Sequence, residues 1–265
     1  MLNVDLPNYS NVGGKIRTIS TPYGYAVAEG SLAGHDTIRI IGYRPAMSNG
    51  TFDDISNITA VTVPIPAAAV GLEVVANAAD ASPAGAGART IEVHGLGQNF
   101  QYQEEAVVLA GAAAVALVKT YRRINSVHVT STGSNGVATG PIIVRGTGGG
   151  TEYIRVGALT NASTQCHYTI PANKAGYIVG WSAGSTGAKP TRLYIRTTSD
   201  NHNHKLLAGV YSVKDIIIAD SAFSYKPLPM PIRLPPQCDI KVTGEATGAG
   251  ASCSASIELW IEDLD

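Results

Sequence analysis

The sequence predicts an all-β protein, a sandwich or barrel of short antiparallel strands. Three observations predict it. Runs of about four to eight residues rich in Val, Ile, Thr and Tyr recur between clusters of Gly, Ser, Thr, Asn and Pro. Several runs alternate apolar and polar residues, so one face packs and the other meets water or a partner. The composition is 45% hydrophobic and only 15% charged, with 29 glycines in 265 residues, which suits a folded, turn-rich chain rather than a disordered one.

In chain order, "MLNVDLPNYSNVGGKI" (1–16) has weak periodicity and reads as the start of an extended arm. The strand candidates follow: "DTIRIIGY" (36–43), "AVTVPIP" (60–66), "RTIEVHGL" (89–96), "SVHVTST" (126–132), "PIIVRG" (141–146) and "TEYIRVGA" (151–158). In the second half come "QCHYTIP" (165–171), "AGYIVGWSAG" (175–184), "TRLYIRTT" (191–198), "KLLAGVYSV" (205–213), "DIKVTGEA" (239–246) and "ASIELWIED" (255–263). Within these, Ile91, Val93, Leu193, Ile195, Ile257, Leu259 and Ile261 are expected to face a core.

"GLGQN" (95–99) reads as a hairpin bend in which Gly95 and Gly97 supply positive φ. The segment "QYQEEAVVLAGAAAVALVKTYRRI" (101–124) is rich in helix formers. It is apolar all round, however, with Gly111 at its middle, and reads as two strands joined by a turn at 110–113. Prolines 227, 229, 231, 235 and 236 forbid a central paired strand and predict an extended edge or a connection. The Gly-rich loops 131–140 and 146–150 are linker candidates, which places a domain boundary near 146–165.

Chemistry is not legible. The stretch 95–100 misses G-x-G-x-x-G because Phe100 stands at the third glycine, and no acidic residue ends the next strand. His202 and His204 in "DNHNHK" share a strand face but lack a third ligand, and read as a polar hairpin loop; Cys166-His167 is not linked to them. Asp53-Asp54 and Glu104-Glu105 are sequence neighbours, so on strands they point to opposite faces and form no carboxylate pair. Cys166, Cys238 and Cys253 are odd in number and widely spaced. Buried free thiols are expected, although Cys238 and Cys253 could face each other across a hairpin. No catalytic, cofactor-binding or metal residue is assigned, and no enzyme is expected. The net charge of −1 without a basic block argues against nucleic acid. No apolar run is long enough to span a membrane, and the first 15 residues lack a secretory pattern.

Several segments carry a resemblance. "AEGSLAGHDTIRIIGYRPAMSNGTFDDIS" (28–56) has a glycine-flanked strand, a turn and an acidic Thr51-Phe52-Asp53-Asp54-Ile55-Ser56 stretch. "SPAGAGARTIEVHGLGQNFQYQEEAVVLAG" (82–111), "YRRINSVHVTSTGSNGVATGPIIV" (121–144), "YTIPANKAGYIVGWSAGS" (168–185) and "MPIRLPPQCDIKVTGEA…SASIELWIED" (230–263) follow in order. Together, over nearly the whole chain, they resemble a family of tailed-bacteriophage virion proteins, common in marine and cyanobacterial phages. Ser56 in place of Trp, Gly97 in place of Asp, and the Ala-rich 106–117 depart from the pattern.

The resemblance implies two antiparallel, jelly-roll-like β-sandwich domains, at 56–150 and 151–265, preceded by an extended N-terminal arm, 1–55, that anchors the chain. It implies a virion component assembled in the host cytoplasm: a capsid decoration (cement) or head-fibre protein. Its partners would be the major capsid protein and copies of itself, as a homo-oligomer, with a trimer the expected form. The alternative is a tail or spike component binding host-surface glycan, with Tyr194, Trp181 or Trp260 stacking on sugars.

Overall fold

The computed structural model describes residues 23–186 and 190–264, together with the backbone of two short strands, β1 (Tyr9–Val12) and β2 (Lys15–Thr18). β1 and β2 pair antiparallel, and one short helix among the described residues, α1 (Tyr23–Ala28), follows. Tyr23 packs its ring against Trp260 at 4.6 Å and bonds His35 through its hydroxyl.

Sixteen further strands complete the described regular structure. They are β3 (His35–Arg44), β4 (Phe52–Asp54), β5 (Val70–Val75), β6 (Ala88–Leu96), β7 (Tyr102–Val108), β8 (Val115–Tyr121), β9 (Arg123–Thr132) and β10 (Ile142–Gly146). The rest are β11 (Glu152–Val156), β12 (His167–Thr169), β13 (Lys174–Thr186), β14 (Thr191–Thr197), β15 (Ser212–Ala219), β16 (Phe223–Leu234), β17 (Asp239–Ala246) and β18 (Ser252–Asp263). The all-β expectation holds, and among the described residues every strand pair is antiparallel apart from one isolated bridge, Asn49 to Ala246.

Alternation sorts these strands onto two hydrophobic cores. The first gathers Leu72, Ile91, Val93, Val127, Ile142 and Ile154 from a sheet of order β11-β10-β5-β8 and a sheet of order β7-β6-β9. The second gathers Ile40, Trp181, Leu193, Ile240, Ile257 and Leu259 from a sheet of order β16-β13-β18-β3 and a sheet of order β12-β17-β14-β15. β4 adds to β17 beyond the end of β12. The inward faces named from the pattern are the observed ones: Ile91, Val93, Leu193, Ile195, Ile257, Leu259 and Ile261 are all buried.

Several expectations are corrected. The runs 60–66 and 205–213 are not strands: the chain loops there between β4 and β5 and, up to the start of β15 at Ser212, between β14 and β15. Residues 35–54 of the expected arm are not an arm: β3 pairs with β18 along its length, and β4 pairs with β17. The partners of β3 lie about two hundred residues downstream, where no local pattern can announce them. The expected boundary at 150/151 falls inside a hairpin, because Arg145 pairs with Glu152 and Val144 with Ile154 across it. The "GTGGG" loop is that hairpin's turn, not a linker. Gly148 and Gly149 adopt positive φ and donate their amides to the Glu73 carboxylate, which also pairs with Arg145 at 2.8 Å. The amide of Gly148 and then Arg145 hold that carboxyl below its usual pKa. The start of the expected arm, residues 1–8, 13–14 and 19–22, lies outside the described residues.

The hairpin at 95–100 is real but is made differently. Positive φ falls on Phe100, not on Gly95 or Gly97. Gly95 is required for close packing: a Cβ there would sit 2.2 Å from the Arg123 carbonyl oxygen. The Ala-rich segment is two strands, β7 and β8, with a tight turn in which Ala110 bridges Ala113 and Gly111 takes a φ of 66°. These strands enter different sheets, so a side chain links them: Glu105 accepts the Val118 and Lys119 amides at 2.6 and 2.9 Å. β16 is the proline-bearing edge, paired among the described strands with β13 alone.

Candidate functional site

The residues singled out for chemistry are mostly structural. His202 and His204 lie in a loop wound around Asp200, whose Oδ1 accepts the amides of His202, Asn203 and Lys205. Among the described residues no three His, Cys, Asp or Glu side chains gather as a metal-binding set. The three cysteines are free and buried, and burial pushes the Cys253 thiol up to about 11. Asp53 pairs with Arg44 at 3.5 Å and accepts the Ser48 amide. Asp54 pairs with Lys241 at 3.0 Å and accepts the Val63 amide. Glu104 accepts the Tyr102 hydroxyl, while Glu105 ties β7 to β8.

The sugar-stacking candidates also find other work. Trp181 is fully buried and donates Nε1 to Asp215 at 2.9 Å, so it cannot meet a ligand from solvent. Trp260 lies under Tyr23. Tyr194 packs edge-on to Phe52, and the Arg196 guanidinium lies 4.3 Å from the Phe52 ring centre.

Three features remain that sequence reasoning did not find. The first is a polar seam where the two sheet pairs meet. Arg123 of β9 grips Asp239 of β17 through two parallel bonds of 2.8 and 3.0 Å, and Thr169 donates its hydroxyl to the same carboxylate. Asn125 and Thr169 exchange hydrogen bonds at 3.0 and 3.1 Å. Burial alone would raise the Asp239 pKa, but the Arg123 pairing and Thr169 outweigh it and hold the carboxyl below its usual range. His167 sits beside this seam, fully buried, with both ring nitrogens unmet by any hydrogen-bond partner. Burial pushes it down to about 4, so it is neutral at pH 7.

The second feature is a pair of cavities flanking the seam. One, of about 430 Å³, is lined by Asp36, His94, Tyr102, Asn125, Tyr168 and Lys174 among others. In it the Tyr102 hydroxyl meets His94 and Glu104, each at 2.7 Å, and Tyr102 is half exposed. The other, of about 390 Å³, is lined by Phe100, Arg122, Arg123 and Tyr211, and walled by Leu206 and Leu207. Cavities of this size at a junction between packed units are where ligands are usually held.

The third feature is an apolar edge. β15 and β16 are the outer strands of the two facing sheets and are joined by the short connection 220–222. Ile216 and Ile218 on β15 and Phe223, Tyr225 and Met230 on β16 are all exposed, Phe223 at 69% and Met230 at 84%. The alternation that buries Ile217 necessarily turns Ile216 and Ile218 outward, so this edge was readable from "DIIIA". The seam was not readable, because Arg123 and Asp239 are 116 positions apart.

No family model matches the chain, and no curated protein matches it.

Proposed function

We propose that this chain is a structural component of a bacteriophage virion, a capsid decoration or head-fibre protein bound to the major capsid protein and to copies of itself, as a trimer. In this reading each sheet pair is a jelly-roll-like β-sandwich domain, and the segment ahead of β3 is the anchoring arm. The observation that carries the reading is the apolar edge of β15 and β16. A chain that works alone rarely leaves so many large apolar side chains in water along neighbouring strands. Repeated, symmetric contacts in a shell would cover them. The form of the edge fits that use. Pro227, Pro229 and Pro231 remove amide donors from β16, so a partner meets side chains rather than extending the sheet without limit. The sequence resemblance supports the same reading, since its segments fall on β3–β4, β6–β7, β9–β10, β12–β13 and β16–β18, the strands and turns that build the two cores.

The test is co-sedimentation with shells assembled from the major capsid protein of the encoding phage. The chain should pellet with the shells, and a variant carrying Phe223→Ser and Met230→Ser should stay in the supernatant with unchanged melting temperature. A chain that never pellets with shells sinks the proposal.

A second reading, a tail or spike component that binds host-surface glycan, draws support from the 430 Å³ groove. Its half-exposed Tyr102 ring, the Asp36 carboxylate and the Lys174 ammonium suit sugar stacking and hydroxyl recognition. A glycan array without hits would remove that support.

A further inference from the structure

β3 is the outer strand of its sheet, with β18 on one side of it. Along a strand the backbone groups of successive residues point alternately to the two sides. Two bonds fix which positions of β3 point where. The Gly34 carbonyl accepts the Asp263 amide at 2.8 Å, so the even positions serve β18. The Tyr43 amide donates to the Thr164 carbonyl at 3.3 Å, so the odd positions face the free edge. At the other end of that edge the Asp36 carboxylate caps the Thr37 amide at 2.7 Å. Between the two, no hydrogen bond among the described residues meets the outward amides and carbonyls of Arg39 and Ile41.

This open stretch runs along a slot. Four consecutive residues, Ile38 to Ile41, line a cavity of about 180 Å³. Side chains alternate between the faces of a sheet, so four in a row on one lining place the cavity along the strand's edge. Across it stand Ser126 and His128 of β9, with Ala162, which bridges His128. The slot is closed at one end by the Tyr43–Thr164 bond. At the other it widens into the cavity of about 430 Å³, with which it shares Ile38, Asn125, Ser126 and Tyr168. From residue 36 to residue 41 the edge is about 17 Å long, the length of an ordinary strand.

These features name the ligand's class. Amides and carbonyls alternating along one line are matched by another extended backbone, and a sugar does not repeat that pattern. Charge adds a preference. At the wide end Lys174 already pairs with Asp263. Asp36 lines the same end, and Glu92 and Glu104 stand 3.2 and 3.7 Å from the His94 ring nitrogens. Carboxylates therefore outnumber cations there among the described residues, which favours a basic side chain.

We propose that this slot receives an extended polypeptide segment of a partner, added as a strand to the free edge of β3. Its backbone bonds Arg39 and Ile41, and a Lys or Arg side chain reaches the wide end beside Asp36. The closed end at Tyr43 limits the addition to one short strand. The proposal does not depend on the virion reading, and it differs from the glycan reading in the groups that hold the ligand.

The probe is a seven-residue peptide of alternating Thr and Val with a central Lys, titrated into the full, isotope-labelled chain and followed by backbone NMR. The controls are the same peptide with a central Glu, the Lys peptide with every amide N-methylated, and maltopentaose. The Lys peptide should give saturable shifts at the Arg39 and Ile41 amides and slow their exchange with solvent. The Glu peptide should bind at least about tenfold more weakly. The N-methylated peptide, which has no donors to offer, should give no shift at either amide. Ile41→Pro removes a donor that β18 does not use, at an edge position where proline is tolerated, so the melting temperature should hold. It should weaken the Lys peptide at least about fivefold, the worth of one hydrogen bond. The proposal is overturned if the Lys peptide leaves both amides unshifted, if the Glu or the N-methylated peptide binds as tightly, if folded Ile41→Pro binds as tightly as the wild type, or if maltopentaose shifts those amides as the peptide does.

Discussion

Lowering the pH from 7 to 4 asks the unfolded chain to protonate His167 while the folded chain resists. In the fold this imidazole is fully buried beside two ion pairs, Arg123–Asp239 and Lys241–Asp54, whose influences oppose each other, so burial dominates. Its pKa falls from an ordinary 6.5 to about 4. A depressed histidine pKa means that the unfolded state binds the proton first. Stability is therefore whole above about pH 6.5 and drains as the pH falls toward 4. A gap of about 2.5 pH units, at about 1.4 kcal/mol each, amounts to roughly 3 kcal/mol by pH 4. His128, shifted down by burial and then by the neighbouring His94, adds a slope of the same sign, so the comparison must be with a variant. His167→Leu removes two unmet polar atoms and loses no hydrogen bond, so at pH 7 it should be at least as stable as the wild type. Urea unfolding at pH 7, 6, 5 and 4 measures both proteins. The wild type should lose about 3 kcal/mol more than His167→Leu over that range. Parallel pH profiles for the two proteins would refute the reasoning.

Other consequences of the geometry are equally direct. Arg123→Met strands the buried Asp239 carboxylate, with Thr169 still bonded to it, and should cost about 3–5 kcal/mol in urea unfolding. The double variant Arg123→Met, Asp239→Leu should recover a large part of that loss. Gly42→Ala would place a Cβ 2.3 Å from the Ile55 carbonyl oxygen and 2.4 Å from the Cys166 Cβ, so it should destabilise by about 3 kcal/mol, the upper end for overpacking, seen as a lowered melting temperature. Glu73→Gln weakens the acceptor that caps the 146–150 turn, so the amides of Gly148 and Gly149 should exchange faster with solvent while the melting temperature barely moves.

Much of the fold was legible because alternation is a local signal. The inward residues of β6, β14 and β18, the turn at Gly111 and the proline-bearing edge at β16 all follow from residues within a few positions of one another. What failed was pairing at a distance. "DTIRIIGY" reads as a strand, yet nothing in it says that its partner is β18 and that residues 35–54 belong to the second sheet pair. The Gly-rich 146–150 loop looks like a linker because the carboxylate that caps it, Glu73, is more than seventy residues upstream. Phe100 at positive φ breaks the residue preference for such a turn; its ring is instead held against Arg122 and Arg123 at 4.5 and 5.3 Å. The candidate sites were the least legible. The polar seam joins Arg123 to Asp239 and Asn125 to Thr169, pairs that meet only once the two sheet pairs are packed together.

The central claim is that this chain is part of a particle and meets its partners through the β15–β16 edge. The most direct measurement is a cryo-electron microscopy map of intact virions of the phage that encodes it, with the chain fitted into density. The account predicts repeated copies on the head surface, with Ile218, Phe223 and Met230 covered by the shell or by a neighbouring copy. A particle without density for the chain, or with that edge facing open solvent in every copy, would contradict it.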